Sequence, residues 1–269
     1  MATFFGEVLP ASSRAAYEDS EEEEEDEEDR DILRALEDKR LVRVNWSSSL
    51  ELNLDSDNKL HCPHLLLTTG HNSSRFVSVY FLSRGTWDTV GRVSLWNERT
   101  VHCEDSVCVL QRHKDSQVLV CQVDCFVAED QLFQWTEQVL GSLVVPQVTV
   151  LSDAPVTDYR SARPLGPDPC LRALHTSTFS ESTCCPLVEP PNLLTGLPAA
   201  VLTWCELRGV GAVVYQCFSD VRSADSTVMS SFRPAVAHLT QHLQVDLCPD
   251  QDVLHKFVSQ APVQSNLYI

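Results

Sequence analysis

No run of apolar residues in this chain approaches the roughly 18–20 that a membrane-spanning helix needs, although 43% of its 269 residues are hydrophobic. Basic side chains are scarce: 20 lysines and arginines stand against 38 aspartates and glutamates, a formal charge of −18. Nowhere do they form a dense patch, so the electrostatic footprint of nucleic-acid binding is missing. Glycine is thin as well, with nine residues, and neither a G-x-x-x-x-G-K-[ST] phosphate loop nor a G-x-S-x-G nucleophile elbow occurs. "RGVG" at 208–211 lacks the third glycine of a dinucleotide fingerprint and precedes a strand pattern where the fingerprint would follow one. The opening "MATFFGEVLP" has no basic start and puts Glu7 where a secretion signal is apolar, so no signal peptide is expected.

What is abundant is acid, and it is concentrated. Glu18 to Asp29 reads "EDSEEEEEDEED", eleven acidic residues and one serine, which leaves the remainder at −7. A like-charged segment poor in apolar residues cannot offset the cost of ordering itself. Residues 1–38 are therefore expected to be a disordered, solubilising tail. Eleven cysteines are scattered without framework spacing, and the number is odd. With no secretion signal they fit the reducing cytosol, as small core residues. The sequons Asn45-Trp46-Ser47 and Asn72-Ser73-Ser74 would then go unused.

From Leu41 the pattern becomes that of a folded domain. "LVRVNW" and "LELNLD" alternate apolar and polar residues as half-buried strands do, and "HLLLTTG" (64–70) reads as a buried strand. Asn72 or Ser73 is placed to cap a helix through "SRFVSVYFLS", with Gly85 beyond its end. "VGRVSLWN", "SVCVLQRH" and "QVLVCQVDCFV" follow as strands, the last with Cys121, Val123 and Cys125 on one face. "AEDQLFQWTEQVLG" turns helical, with Leu132, Phe133, Val139 and Leu140 toward one side, early acids and a terminal glycine. "PQVTVLS" returns to a strand. The proline-rich stretch 153–191 reads as loop, with a short helix around "CLRALH". "LPAAVLTWCELRG" is a helix with an early proline and a glycine stop, "GAVVYQCF" a buried strand, and Ser226–Leu243 and Gln251–Ser259 are helical. Alternating strands and helices predict a three-layer α/β sandwich with a mixed central sheet.

Chemistry-bearing residues form no constellation. His61-Cys62-Pro63-His64 with His71, and His102-Cys103 with Cys108, lack the paired spacing of zinc ligands, so no metal or cofactor site is expected. Cys184-Cys185 reads as packed thiols, because adjacent cysteines bridge only under strain. The carboxylates Glu129, Asp130 and Asp158 could do acid–base work, but Glu129 and Asp130 more simply serve a helix N-terminus.

The last residues are different. Polar, proline-broken "SQAPVQ" (259–264) leads to Leu267, Tyr268 and Ile269. A terminal carboxylate is an anion that a partner lysine neutralises, tyrosine joins ring area to one hydroxyl, and leucine fills an apolar slot. The alternative is a terminus packed back on its own domain. The order hydrophobic–Tyr–any residue–carboxylate resembles the tail motif that partners of the 20S proteasome insert between α-subunits.

Other segments carry the resemblance through the body. "FFGEV" (4–8), "LWNE" (95–98), "CFVAEDQ" (125–131), "QW" (134–135), "VTDY" (156–159), "CCPL" (184–187), "LPAAVL" (197–202) and "QSNLY" (264–268) occur in this order. Together they resemble the proteasome assembly chaperone family over nearly the whole chain.

The resemblance implies a non-enzymatic, ATP-independent chaperone on a nucleoside-phosphorylase-like α/β sandwich. It implies a heterodimer with proteasome assembly chaperone 2 that binds the nascent α-ring of the 20S proteasome, promotes its assembly and blocks premature ring pairing. Leu267, Tyr268 and the Ile269 carboxylate would enter a pocket between α-subunits. The setting implied is cytoplasmic, with association at the endoplasmic reticulum as a second one, and no nucleic acid or membrane span is involved. Residues 1–38 would be the acidic tail, 39–259 the chaperone domain and 260–269 the flexible docking tail. Two other readings stand beside it: a regulator that docks on finished particles, and a nucleoside-processing enzyme suggested by fold analogy alone.

Overall fold

Which strands lie at the centre of the sheet follows from which are apolar on both faces. In a computed structural model of the chain, residues 27–48, 54–99, 108–161, 166, 168–220, 223–243 and 247–259 are described. They fall in two units, 1–41 and 42–269. The first contains helix α1 (Glu27–Arg40). The second begins with β1 (Arg43–Trp46), β2 (Leu60–His61), β3 (Leu65–Thr69), α2 (His71–Tyr80), β4 (Trp87–Ser94), β5 (Cys108–His113) and β6 (Leu119–Val123). It continues with α3 (Leu132–Gly141), β7 (Leu143–Val144), β8 (Gln147–Pro155), β9 (Cys170–His175), α4 (Gly196–Arg208) and β10 (Gly211–Ser219). Helices α5 (Ser226–Ser231), α6 (Ala237–Leu243) and α7 (Gln251–Ser259) complete it.

Eight strands form one sheet in the order β1-β4-β5-β6-β3-β8-β10-β9, while β2 and β7 pair separately. The inner four, β6-β3-β8-β10, run parallel. Their burial explains the place: all five residues of β6 and eight of nine in β10 are buried, as strands covered on both faces must be. Antiparallel pairs flank them, with β1 and β9 at the edges.

Side chains alternate between two apolar layers. Leu65 and Leu67 join Trp135, Val139, Val201 and Cys205 on the side covered by α3 and α4. Leu66, Leu151 and Tyr215 join Phe76, Val228, Phe232 and Leu239 on the side covered by α2, α5 and α6. The second unit is thus the expected three-layer α/β sandwich with a mixed sheet.

Several local expectations differ from this structure. "CLRALH" is strand β9: its helix-forming residues yield to an antiparallel ladder along the open edge of β10. The predicted helix Ser226–Leu243 is divided, because Pro234 removes a donor and starts a 3-10 turn (234–236) between α5 and α6. Phe133 is 74% exposed; the buried stripe of α3 is Trp135, Thr136, Val139 and Leu140. Cys125 lies beyond the end of β6, although it packs against the same cluster as Cys121 and Val123. Most of "LELNLD" is outside the described residues.

Helix α1 takes in the last twelve residues of the expected acidic tail, 27–38, and runs two residues beyond it. Good helix formers follow the acids there, and Lys39 and Arg40 in the last turn oppose the helix dipole. The unit boundary falls at Leu41, three residues after the expected one.

Candidate functional site

In open α/β sheets, ligands meet the C-terminal ends of the parallel strands. Here that rim is built by the segments that leave β4, β6, β3, β8 and β10. Helix α2 starts directly after β3, and the first free amides of a helix attract anions. Neither Asn72 nor Ser73 caps this helix with its own side chain. Asp153, at the exit of β8, reaches across instead. Its carboxylate accepts from the backbone N–H of Ser73 at 2.9 Å and of Asn72 at 3.3 Å.

Gly70 makes the contact possible. Its φ of 110° disfavours any side chain, and a Cβ there would fall within 3.0 Å of all three carboxylate atoms of Asp153. A fixed carboxylate therefore holds the place where a phosphate would dock, and an incoming anion would meet like charge. This geometry counts against a nucleoside-and-phosphate chemistry. An open hollow of about 280 Å³ beside Asp153, lined also by Pro155, Thr157 and Asp220, is acidic rather than anion-receiving.

Around Asp153 the rim is tied by hydrogen bonds. Asn72 Oδ1 accepts from the Asp225 N–H at 2.9 Å, and Asp225 itself caps α5 through the N–H groups of Thr227 and Val228. Farther along, Asn97 Nδ2 donates to the Phe126 carbonyl at 3.0 Å and to Gln131 Oε1 at 3.1 Å. Asn192 holds the Arg160 backbone from both sides, accepting from its N–H and donating to its carbonyl. These links fix loops on which exposed apolar side chains stand: Phe126 (43%), with Arg99 4.4 Å above its ring, and Leu193 (83%), with Phe133 in the first turn of α3.

Helix α7 leads to the same rim. The Asp250 N–H donates to the Val79 carbonyl at 3.1 Å near the far end of α2, whereas Phe257 lies under the Arg75 guanidinium at 4.2 Å. α7 therefore climbs antiparallel to α2, and Ser259 is reached on the rim side. Leu267, Tyr268 and Ile269 lie outside the described residues.

The other candidates separate. His61 is exposed and hydrogen-bonded to Asp55 at 3.0 Å, whose carboxyl is lowered chiefly by the Lys59 N–H. Cys62 is buried and its thiol is pushed up to about 12 by burial, while His64 points into the core, bonded to Thr149 at 2.9 Å. Strand alternation sends these neighbours to different sides. His71 is exposed at the start of α2; His102 and Cys103 lie outside the described residues. Glu129 and Asp130 form a 3-10 turn leading into α3, as their helix-start role requires. Asp158 ends a separate 3-10 turn.

Two thiol pairs emerged that spacing did not reveal in full. Cys108 and Cys125 lie 3.4 Å apart, the pair hydrogen bond raising Cys108 and lowering Cys125. Cys184 is exposed, and hydrogen bonds from the Cys185 thiol and then Tyr215 lower its pKa to about 7.

The chain is similar to known proteins along its whole length. The PAC1 family model, described as Proteasome assembly chaperone 4, matches residues 1–269. Proteasome assembly chaperone 1 of Xenopus laevis is 45% identical over 288 residues, covering 100% of both chains. A Thermoplasma acidophilum protein of unknown function shares the fold with a TM-score of 0.56 at 12% identity, over 80% of this chain and 91% of its own. So does Pyrococcus furiosus PbaA, titled an archaeal homolog of proteasome-assembly chaperone, with a TM-score of 0.51 at 11% identity over 81% and 92%.

Proposed function

The chain belongs to the proteasome assembly chaperone 1 family, and from that premise we propose that it is an ATP-independent chaperone of 20S proteasome assembly. Paired with proteasome assembly chaperone 2, it binds the nascent α-ring, promotes ring completion and prevents two rings from associating early. The observation that carries this reading is the full-length match to relatives of that name. A helix that ends at the rim, with ten residues beyond it, supplies the tether that tail docking requires.

Leu267 fills an apolar slot, Tyr268 anchors beside it, and the Ile269 carboxylate meets a lysine between two α-subunits. Burying the leucine contributes about 1.5–3 kcal/mol. A charge-assisted hydrogen bond adds about 1.5–3 kcal/mol and a central tyrosine about 2 kcal/mol. Ordering four or five tail residues opposes this by at least about 4–5 kcal/mol. The tail alone binds weakly, so the body must hold it at high effective concentration.

Carboxylate position is the sensitive variable. One glycine added after Ile269 moves the charge about 3.3–3.6 Å along an extended chain, out of hydrogen-bond reach. That extension, and separately Tyr268→Ala, is expected to weaken α-ring binding while folding and the heterodimer stay intact. Ring affinity measured by native gel titration checks it; unchanged affinity in both variants would mean that the terminus packs on its own domain.

A further inference from the structure

We propose that the rim at the C-terminal ends of the parallel strands is the body's own docking face for the partner that receives the tail. The inference rests on the function proposed above and adds the surface through which the folded body acts.

Reach is the first argument. Ten residues follow Ser259. As a flexible chain they span about 16–19 Å on average, against a sheet about 30 Å long from rim to opposite end for a nine-residue strand such as β8. Because α7 climbs to the rim, the tail's effective concentration is highest for a pocket facing that end and collapses for one facing the other.

Surface chemistry is the second argument. Phe126, Phe133 and Leu193 are exposed there at 43%, 74% and 83%, and Val258 at the root of the tail at 42%. Exposed aromatics are the residues that interfaces enrich. In the described loops at 95–99, 124–131, 153–161, 219–220 and 223–225, acidic residues outnumber basic ones eight to two. A tail ending in a carboxylate needs a cation in its pocket, and an acidic rim beside it needs more of them. The occupant is therefore a lysine- or arginine-bearing protein surface with shallow apolar notches, continuous with the pocket for the tail. Such complementarity chiefly sets orientation and association rate and weakens with salt.

The test uses the full chain co-expressed with its partner chaperone, titrated onto purified α-rings that carry no β-subunits. The side chains of Phe133 and Leu193 are mostly solvent-exposed, so Phe133→Ala with Leu193→Ala should fold normally. The pair is expected to weaken binding roughly tenfold, a change typical of losing one modest anchor, and Asp158→Lys to flatten the salt dependence. Leu207→Ala, at the opposite end of α4 and 79% exposed, should leave binding unchanged. If tail extension lowers affinity but the rim pair does not, the rim assignment fails and the proposed function stands. If neither lowers it, both fail. Loss of the heterodimer on size exclusion with the rim pair would also overturn the assignment, by giving this face to the partner chaperone.

Discussion

Asp153 shows how much one side chain settles. It satisfies the first amides of α2 from a different strand, and it does so only because Gly70 leaves room. Asp153→Ala is expected to cost about 1–2 kcal/mol, the range for a lost cap. Gly70→Ala should cost more than about 1 kcal/mol, since it combines positive φ with a collision. Urea midpoints measure both, and a silent Gly70→Ala would mean that the carboxylate moves aside freely. Cys184 gives a second residue-scale prediction. A thiol lowered to about 7 is half thiolate near that pH, and the thiolate fraction rises with pH. Iodoacetamide should therefore label Cys184 with a half-maximum near pH 7, while buried Cys62 and Cys205, both pushed up to about 12 by burial, stay unlabelled in the native state. Cys185→Ala should shift the Cys184 midpoint upward, because it removes the main hydrogen bond that lowers it.

Among the elements, α7 and α2 differ most in what holds them. α2 buries seven of its ten residues, including Phe76 and Val77. α7 has none fully buried and rests on partly buried Val253, Leu254 and Phe257. Local opening free energy follows buried contact. Backbone amides of α7 should exchange with deuterium well before those of β3, β6 and α2, and Phe257→Asp should accelerate α7 alone. Equal protection in α7 and β6 would show that the helix opens only with the whole body.

At the scale of the molecule, the acidic segment and the sandwich are separate units. Deleting residues 1–38 removes much of the negative charge and none of the described core. The melting temperature of the remainder should stay within about 2 °C, corresponding to about 0.5–1 kcal/mol for a domain of this size. A drop of many degrees in differential scanning calorimetry would mean that this segment packs on the body.

The sequence by itself determined the class of the fold. In "HLLLTTG" and "GAVVYQCF" apolar residues follow one another without alternation, as in strands covered on both faces. "LPAAVLTWCELRG" carried its own start and stop, and Gly209 sits at φ 67° where the helix ends. The family resemblance was equally legible, because it lies in short words along the chain. Tertiary structure decided the rest. β9 became a strand through a hydrogen-bonding edge 38 to 48 residues away, which local propensity cannot see. Phe133 was placed on the wrong side because a short helix tolerates more than one apolar stripe, and Trp135 took the core for its larger buried area. The cap on α2 came from Asp153, 80 residues from Ser73. The rim reached by α7 follows from its antiparallel packing on α2, a contact between segments that sequence spacing leaves unrelated.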